Sequence, residues 1–198
     1  QHRMALLEEF SCYGVQKVTW MTQTHSTICH TINAEIPFNA LEGDGLVTQT
    51  AGHALMMMTA DCLPVVLGNA EGTEIANLHA GWRGLANGII ETTIETMQSP
   101  PAWAWLGAAI CQDSFEIGAE VKQAFCTKYP ELDRAFKVGI KADKFYADLY
   151  AIARYILALQ GVKTVLGGDQ CSYLQAKDYF SYRRAPKTGR MATFVFMA

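Results

Sequence analysis

Residues 73–78 form an apolar run of strand length, and the next six, His79-Ala80-Gly81-Trp82-Arg83-Gly84, lead through a glycine-punctuated turn into a helical pattern over residues 85–97. No other stretch limits the fold as tightly. A strand that turns sharply into a helix is half of a βα unit, and the carboxyl ends of such strands are where α/β folds gather their chemistry. His79 stands at that position. Leu85, Ile89, Ile90, Thr93, Ile94 and Met97 lie along one helical face, and Ser99-Pro100-Pro101 stops the helix.

The flanking pattern extends this unit. Residues 53–59 and 63–67 read as buried strands with Cys62 at the break between them. Residues 15–22 alternate as a strand running toward Thr24-His25, residues 28–36 can form a second, and Gly43-Asp44-Gly45 is a strong turn signal before Leu46-Val47. Further on, the spacing predicts a strand over 102–110, then a helix over 118–128 with Val121, Ala124 and Phe125 facing inward. A helix over 146–159 and strands over 162–166, 179–183 and 191–197 follow. Residues 1–10 resemble a charged amphipathic helix. Strands and helices mix without strict alternation, so the expected fold class is an α/β (α+β) layered sandwich with mixed sheets.

At 198 residues the chain can bury roughly 70% of its unfolded surface, and one domain over 1–198 is expected. Charged residues make up 18% with a formal net charge of −3, which provides no sequence-wide basic excess for a nucleic-acid partner. The longest apolar stretch is broken by Asp61 and Pro64, so no membrane span is expected. The N-terminus lacks the pattern of a secretory signal, and Gln1 is no initiator, so the chain reads as processed or truncated. Cys12, Cys29, Cys62, Cys111, Cys126 and Cys171 never form Cys-x-x-Cys and read as reduced, mostly core thiols of a cytoplasmic protein.

Two more metal-capable residues occupy strand ends comparable to that of His79: Cys62 in Thr59-Ala60-Asp61-Cys62-Leu63-Pro64 and His25 in Gln23-Thr24-His25-Ser26. Zinc accepts imidazole nitrogen and thiolate sulfur, and catalytic zinc sites offer three protein ligands with a fourth place free. The same atoms suit a nonmetal alternative, in which a Cys62 thiolate is activated by His79 and oriented by Asp61. Spacing leaves both open. His2, His30 and His53 lack this setting. Tyr179-Phe180-Ser181-Tyr182-Arg183-Arg184, followed by Lys187-Thr188-Gly189-Arg190, combines aromatic and guanidinium groups able to stack a base and hold phosphate. Arg3 and Arg83 can add anion contacts. The alternative for this segment is a solvated basic edge.

Taken in order, these segments resemble the YfiH-like laccase-domain family, also described as multicopper polyphenol oxidases, purine nucleoside phosphorylases and peptidoglycan editing factors. The matching text includes Gln23-Thr24-His25, Asp44-Gly45-Leu46-Val47-Thr48, the Cys62 and His79 motifs, Gly167-Gly168-Asp169-Gln170-Cys171-Ser172-Tyr173 and Phe180-Ser181-Tyr182-Arg183-Arg184. The resemblance implies a layered sandwich similar to cysteine hydrolases of the bacterial toxin type. It also implies that His25, Cys62 and His79 are metal ligands, with zinc usual and copper reported. The activities it implies are phosphorolysis of adenosine, inosine, guanosine and methylthioadenosine, adenosine deamination, and a peptidoglycan-editing amidase role. Two departures stand out. Family members usually carry a few dozen further residues before the position that Gln1-His2-Arg3 matches, and residues 106–112 replace a Gly-Pro-containing turn.

The name laccase can be weighed by counting. A multicopper oxidase site needs on the order of ten histidines, whereas this chain has five; a single copper supporting weak phenol oxidation is the most that remains of that reading. Metal activation of water suits deamination at purine C6, while phosphorolysis needs arginines that neutralise an attacking phosphate. The expected catalytic residues are therefore Cys62, His79 and Arg83. Arg3, Tyr182, Arg183 and Arg184 are expected to hold a purine nucleoside and phosphate, in one pocket with the metal site. The alternatives are an amidase acting on a cell-wall precursor and a noncatalytic metal-binding module.

Overall fold

The computed structural model describes residues 8–33 and 41–198. Its strands begin with β1 (Lys17–Thr19), β2 (Met21–Thr22), β3 (Cys29–Ile32), β4 (Leu41–Glu42), β5 (Gly45–Thr48), β6 (His53–Thr59), β7 (Leu63–Gly68) and β8 (Ile75–Ala80). Helices α1 (Trp82–Asn87) and α2 (Ile89–Thr96) follow, then β9 (Trp103–Leu106), β10 (Glu116–Gly118) and α3 (Ala119–Lys128). The chain continues through β11 (Phe136–Val138), β12 (Lys144–Ala147), α4 (Leu149–Leu159), β13 (Thr164–Gly167) and β14 (Met191–Val195).

The expected layered sandwich is present. A six-stranded sheet, ordered β13-β9-β7-β8-β5-β3, is antiparallel through its middle and parallel at both edges, where β13 joins β9 and β3 joins β5. A second sheet, β1-β6-β14, packs on one face of it, and the helices cover the other. Strand β8 displays both contacts through its two-residue side-chain period. Ala76, Leu78 and Ala80 join the large core that includes Leu85, Ile89, Ile90, Phe125 and Ile152. Ile75 faces the other way, into a smaller cluster with Leu46, Leu55 and Met57. Asn77 shares that second face and donates to the carbonyls of Leu55 and Thr193, stitching the two sheets together. His79 leaves β8 on the same side, so the pleat directs it into the space between layers.

Several sequence expectations need correction. The helix read over 85–97 is two helices, because Gly88 adopts φ 101°, ends α1 by donating to the Gly84 carbonyl and starts α2; this left-handed conformation suits glycine. Residues 179–183 form no strand, and a turn occupies 182–184. The helix read over 146–159 starts at Leu149, where the Asp148 carboxylate accepts from the Ala151 amide as an N-cap. Tyr146 and Ala147 belong to β12. Ala124 is exposed rather than inward-facing, and the strand read over 102–110 ends at Leu106.

The six cysteines are not all reduced: Cys111 and Cys171 form a disulfide across 60 residues, with Cα atoms 5.1 Å apart. No spacing motif announces this pair, which is brought together where the loops after β9 and β13 meet. Residues 106–112 are tied into that junction by bonds from Gly107 N to Pro64 O and from Ile110 N to Asp61 O. The helix expected over 1–10 lies mostly outside the described residues, as do residues 34–36 of the strand read over 28–36. Among the described residues, no helix is long and apolar enough to cross a membrane.

Candidate metal centre

Three segments converge on one point. His79 lies within β8, in register with Pro64 of β7, rather than just past the strand as its sequence position suggested. Cys62 occupies the bend between β6 and β7 and is half-buried; His25 follows β2 and has φ 60°. Cys62 Sγ stands 3.7 Å from His25 Nε2, and the His25 and His79 rings meet edge to face with centroids 4.8 Å apart. One donor atom from each of the three lies within 4.8 Å of the others.

The donor set fits a zinc-like cation. Imidazole nitrogen and thiolate sulfur bind such an ion at about 2.0–2.3 Å, which places tetrahedral neighbours about 3.5 Å apart, close to the Cys62–His25 separation. The surrounding backbone is shaped for close approach. A Cβ at position 81 would stand 3.0 Å from His25 Cδ2 and 3.1 Å from Cys62 Sγ, so Gly81 leaves room for both side chains.

Asp44, read from sequence only as part of a turn, organises two of the three donors. Its Oδ1 accepts from His79 Nδ1 at 2.7 Å and from the His25 amide at 3.1 Å. Its Oδ2 accepts from the amides of Thr24 and Ser26 and from both hydroxyls. One fully buried carboxylate thus holds the His25 loop in its left-handed conformation and occupies Nδ1 of His79, turning Nε2 toward Cys62. The orienting acid is Asp44 and not Asp61, whose carboxylate accepts instead from Ser172 Oγ and the Arg183 amide. The available signal was a charged residue between two glycines, directly before the wholly buried strand β5.

The electrostatics follow from these contacts. Burial alone would raise the Asp44 carboxyl, but donation from His79 and Ser26 overrides it and holds the group far below the usual carboxylate range. Burial opposes charging of His79, yet Asp44 on one side and Cys62 on the other raise it to about 9. Cys62, which burial pushes up, is pulled down to about 6 by hydrogen bonds and charge from His25 and His79. A thiolate is thereby stabilised where a cation or an electrophile can meet it.

These donors lie on a cavity of about 790 Å³. Arg83, Tyr182 and Arg183 line it, as does Arg190, together with Trp20, Trp82, Met58 and Phe115. Arg183 lies 5.4 Å over the Phe115 ring and donates to the Glu116 carbonyl. Arg184 is absent from this lining: its guanidinium donates to the carbonyls of Ser172, Tyr173 and Tyr179, holding the loop that carries its neighbours. Arg3 lies outside the described residues. His53 bonds to Thr19 Oγ1 and His30 to the Glu42 carbonyl, both away from the three donors.

The family described as multi-copper polyphenol oxidoreductase laccase matches residues 1–198. A protein of Shigella flexneri named purine nucleoside phosphorylase YfiH is 42% identical over 183 residues, covering 91% of this chain and 74% of that one. A protein of an unknown prokaryotic organism named adenosine deaminase RL5 is 35% identical over 166 residues, 79% of this chain and 63% of that one. Among solved structures, that of a Neisseria meningitidis protein superposes with a TM-score of 0.90 at 44% identity, covering 98% of this chain and 80% of that one.

Proposed function

The chain belongs to the multi-copper polyphenol oxidoreductase laccase family, and on that premise we propose that it is a zinc-dependent purine nucleoside phosphorylase with adenosine deaminase activity. The substrates are adenosine, inosine, guanosine and methylthioadenosine. The observation that carries the reading is the placement of His25, Cys62 and His79 on the same cavity as Arg83, Arg183 and Arg190. Relatives named for these two activities support it. The compartment that suits such substrates is the cytoplasm.

His25, Cys62 and His79 hold the metal, which when bound supplies Lewis acidity at one end of the cavity. Arg83, Arg183 and Arg190 bind phosphate and neutralise it as its oxygen bonds to the anomeric carbon. The bond from that carbon to the purine nitrogen breaks in the same displacement, and the purine leaves with the electron pair. Tyr182 and the indoles of Trp20 and Trp82 offer flat apolar surface for the base. Asp44 keeps His79 in one orientation throughout by accepting a hydrogen bond from its Nδ1–H.

Replacing Cys62 with alanine tests the assignment. Bound zinc and phosphate-dependent release of adenine or hypoxanthine should disappear together, with release falling to the level of a blank. Retained phosphorolysis in a metal-free variant contradicts the mechanism.

One arrangement favours a second reading. Cys62, His79 and Asp44 stand in the order thiolate nucleophile, imidazolium proton donor and orienting acid, with Asp44 2.7 Å from His79 Nδ1. A cysteine hydrolase acting on a nucleotide-linked muramyl dipeptide would use that chain of contacts. It predicts release of an amino acid that persists after chelation, where phosphorolysis would stop.

A further inference from the structure

Asp44 holds the metal side of the cavity, and a second carboxylate holds the arginine side. Asp61 is almost fully buried, at 9% exposure, and has φ 86°, a conformation that side-chain-bearing residues seldom adopt. Its Oδ1 accepts from Ser172 Oγ and its Oδ2 from the Arg183 amide, both at 2.7 Å. These partners lie 111 and 122 positions away in the chain. Its own carbonyl accepts from the Ile110 amide at 2.9 Å. One residue therefore gathers the bend before Cys62, the loop after β9, the segment after β13 and the turn at 182–184.

That turn has bonds of its own. Ser181 Oγ accepts from the Arg184 amide and Ser181 O from the Ala185 amide, and Arg184 fixes the turn to carbonyls of the preceding loop. These contacts preserve its shape, but they do not link it to the strand bend that bears Cys62. Asp61 makes that link through the Arg183 backbone, and the Arg183 side chain then reaches along Phe115 to the cavity.

We infer that Asp61 is the positioning residue for Arg183: it borders the cavity, but its two carboxylate oxygens are taken by Ser172 and the Arg183 amide, and through them it sets the distance between the anion-binding arginine and the metal donors. This rests on the reading that the arginines receive phosphate. A loosened turn leaves the three metal donors in place and displaces the guanidinium, so anion binding weakens while metal binding survives.

The test compares zinc-loaded wild type with Asp61→Gly, Asp61→Asn and Ser172→Ala, measuring zinc content by mass spectrometry and inorganic phosphate binding by calorimetry. Glycine accepts φ 86° and deletes the carboxylate, so backbone strain does not confound the result. Asparagine tolerates positive φ and reproduces both contacts, its Oδ1 accepting from Arg183 N–H and its Nδ2 donating to Ser172 Oγ. Asp61→Gly should retain zinc and bind phosphate about tenfold more weakly. Asp61→Asn should bind phosphate at least as tightly as wild type. Ser172→Ala, which leaves the Asp61 backbone untouched, should weaken binding about threefold and serves if Asp61→Gly does not fold. Wild-type phosphate affinity in Asp61→Gly and Ser172→Ala, or zinc lost along with phosphate in Asp61→Gly, overturns the inference while leaving the proposed activity standing. An Asp61→Asn variant as impaired as Asp61→Gly overturns it too. Zinc-loaded wild type that binds no phosphate overturns both.

Discussion

Asp44 receives six hydrogen bonds on two oxygens, from Thr24, His25, Ser26 and His79. Every one is a donor, so asparagine cannot replace it without turning its amide against another N–H or hydroxyl. Asp44→Asn should therefore weaken zinc binding by about 10–100-fold, read by competition with a chromophoric chelator; unchanged affinity would show that His79 needs no orienting partner. Gly81 gives a complementary test. In Gly81→Ala the new methyl must push His25 Cδ2 and Cys62 Sγ apart by a few tenths of an ångström. Zinc affinity should fall while the circular dichroism spectrum stays that of wild type, and an unchanged affinity would mean that the donors move freely. Both residues stand in motifs visible in the sequence, yet only the two histidines and the cysteine could be picked out there. Residue type reveals a donor, whereas a partner such as Asp44 is revealed by burial and convergence.

At the scale of elements, the strands were legible where burial is continuous. β6 matches its sequence reading over residues 53–59 and β7 differs by one residue, because fully buried strands are uninterrupted apolar runs. β10, β11 and β12 escaped notice: they are three or four residues each, with exposed positions such as Lys137 and Val138. Helix α2 lost its expected continuity with α1 to one glycine, since a tolerable Gly and a helix-ending Gly look alike in sequence. Contacts from helix to loop carry weight here. Tyr150 of α4 accepts from the Ala109 amide at 2.8 Å, and its hydroxyl lies within bonding reach of the carbonyls of Gly107 and Gln170. Burial pushes its phenol up to about 12, against the bond from Ala109, so it remains a donor at neutral pH. Tyr150→Phe leaves that amide only its longer 3.4 Å bond to the Gln170 carbonyl and removes the hydroxyl from the carbonyls of Gly107 and Gln170, so it should cost about 1–3 kcal/mol, seen as a lower urea midpoint with unchanged slope. An unaltered midpoint would mean that water replaces the hydroxyl at no cost.

Over the whole molecule, the layered class was readable because strands and helices mix along the chain, but the order β13-β9-β7-β8-β5-β3 was not. Register and sheet order depend on which apolar faces meet, and that information is spread over residues far apart. The same spread hid the Cys111–Cys171 disulfide and the separation of labour between Arg183, on the cavity, and Arg184, bonded within its loop. The layers bring together donors that follow β2, precede β7 and lie within β8, and the proposed activity requires the cavity they line to hold a metal and an anion side by side. Stepwise addition of zinc to metal-free protein, with phosphate-dependent release of hypoxanthine from inosine followed at each step, tests that account most directly. Release should rise in proportion to added zinc and level off at one equivalent per chain. Release at full rate before any zinc is added, or none after one equivalent is bound, would contradict it.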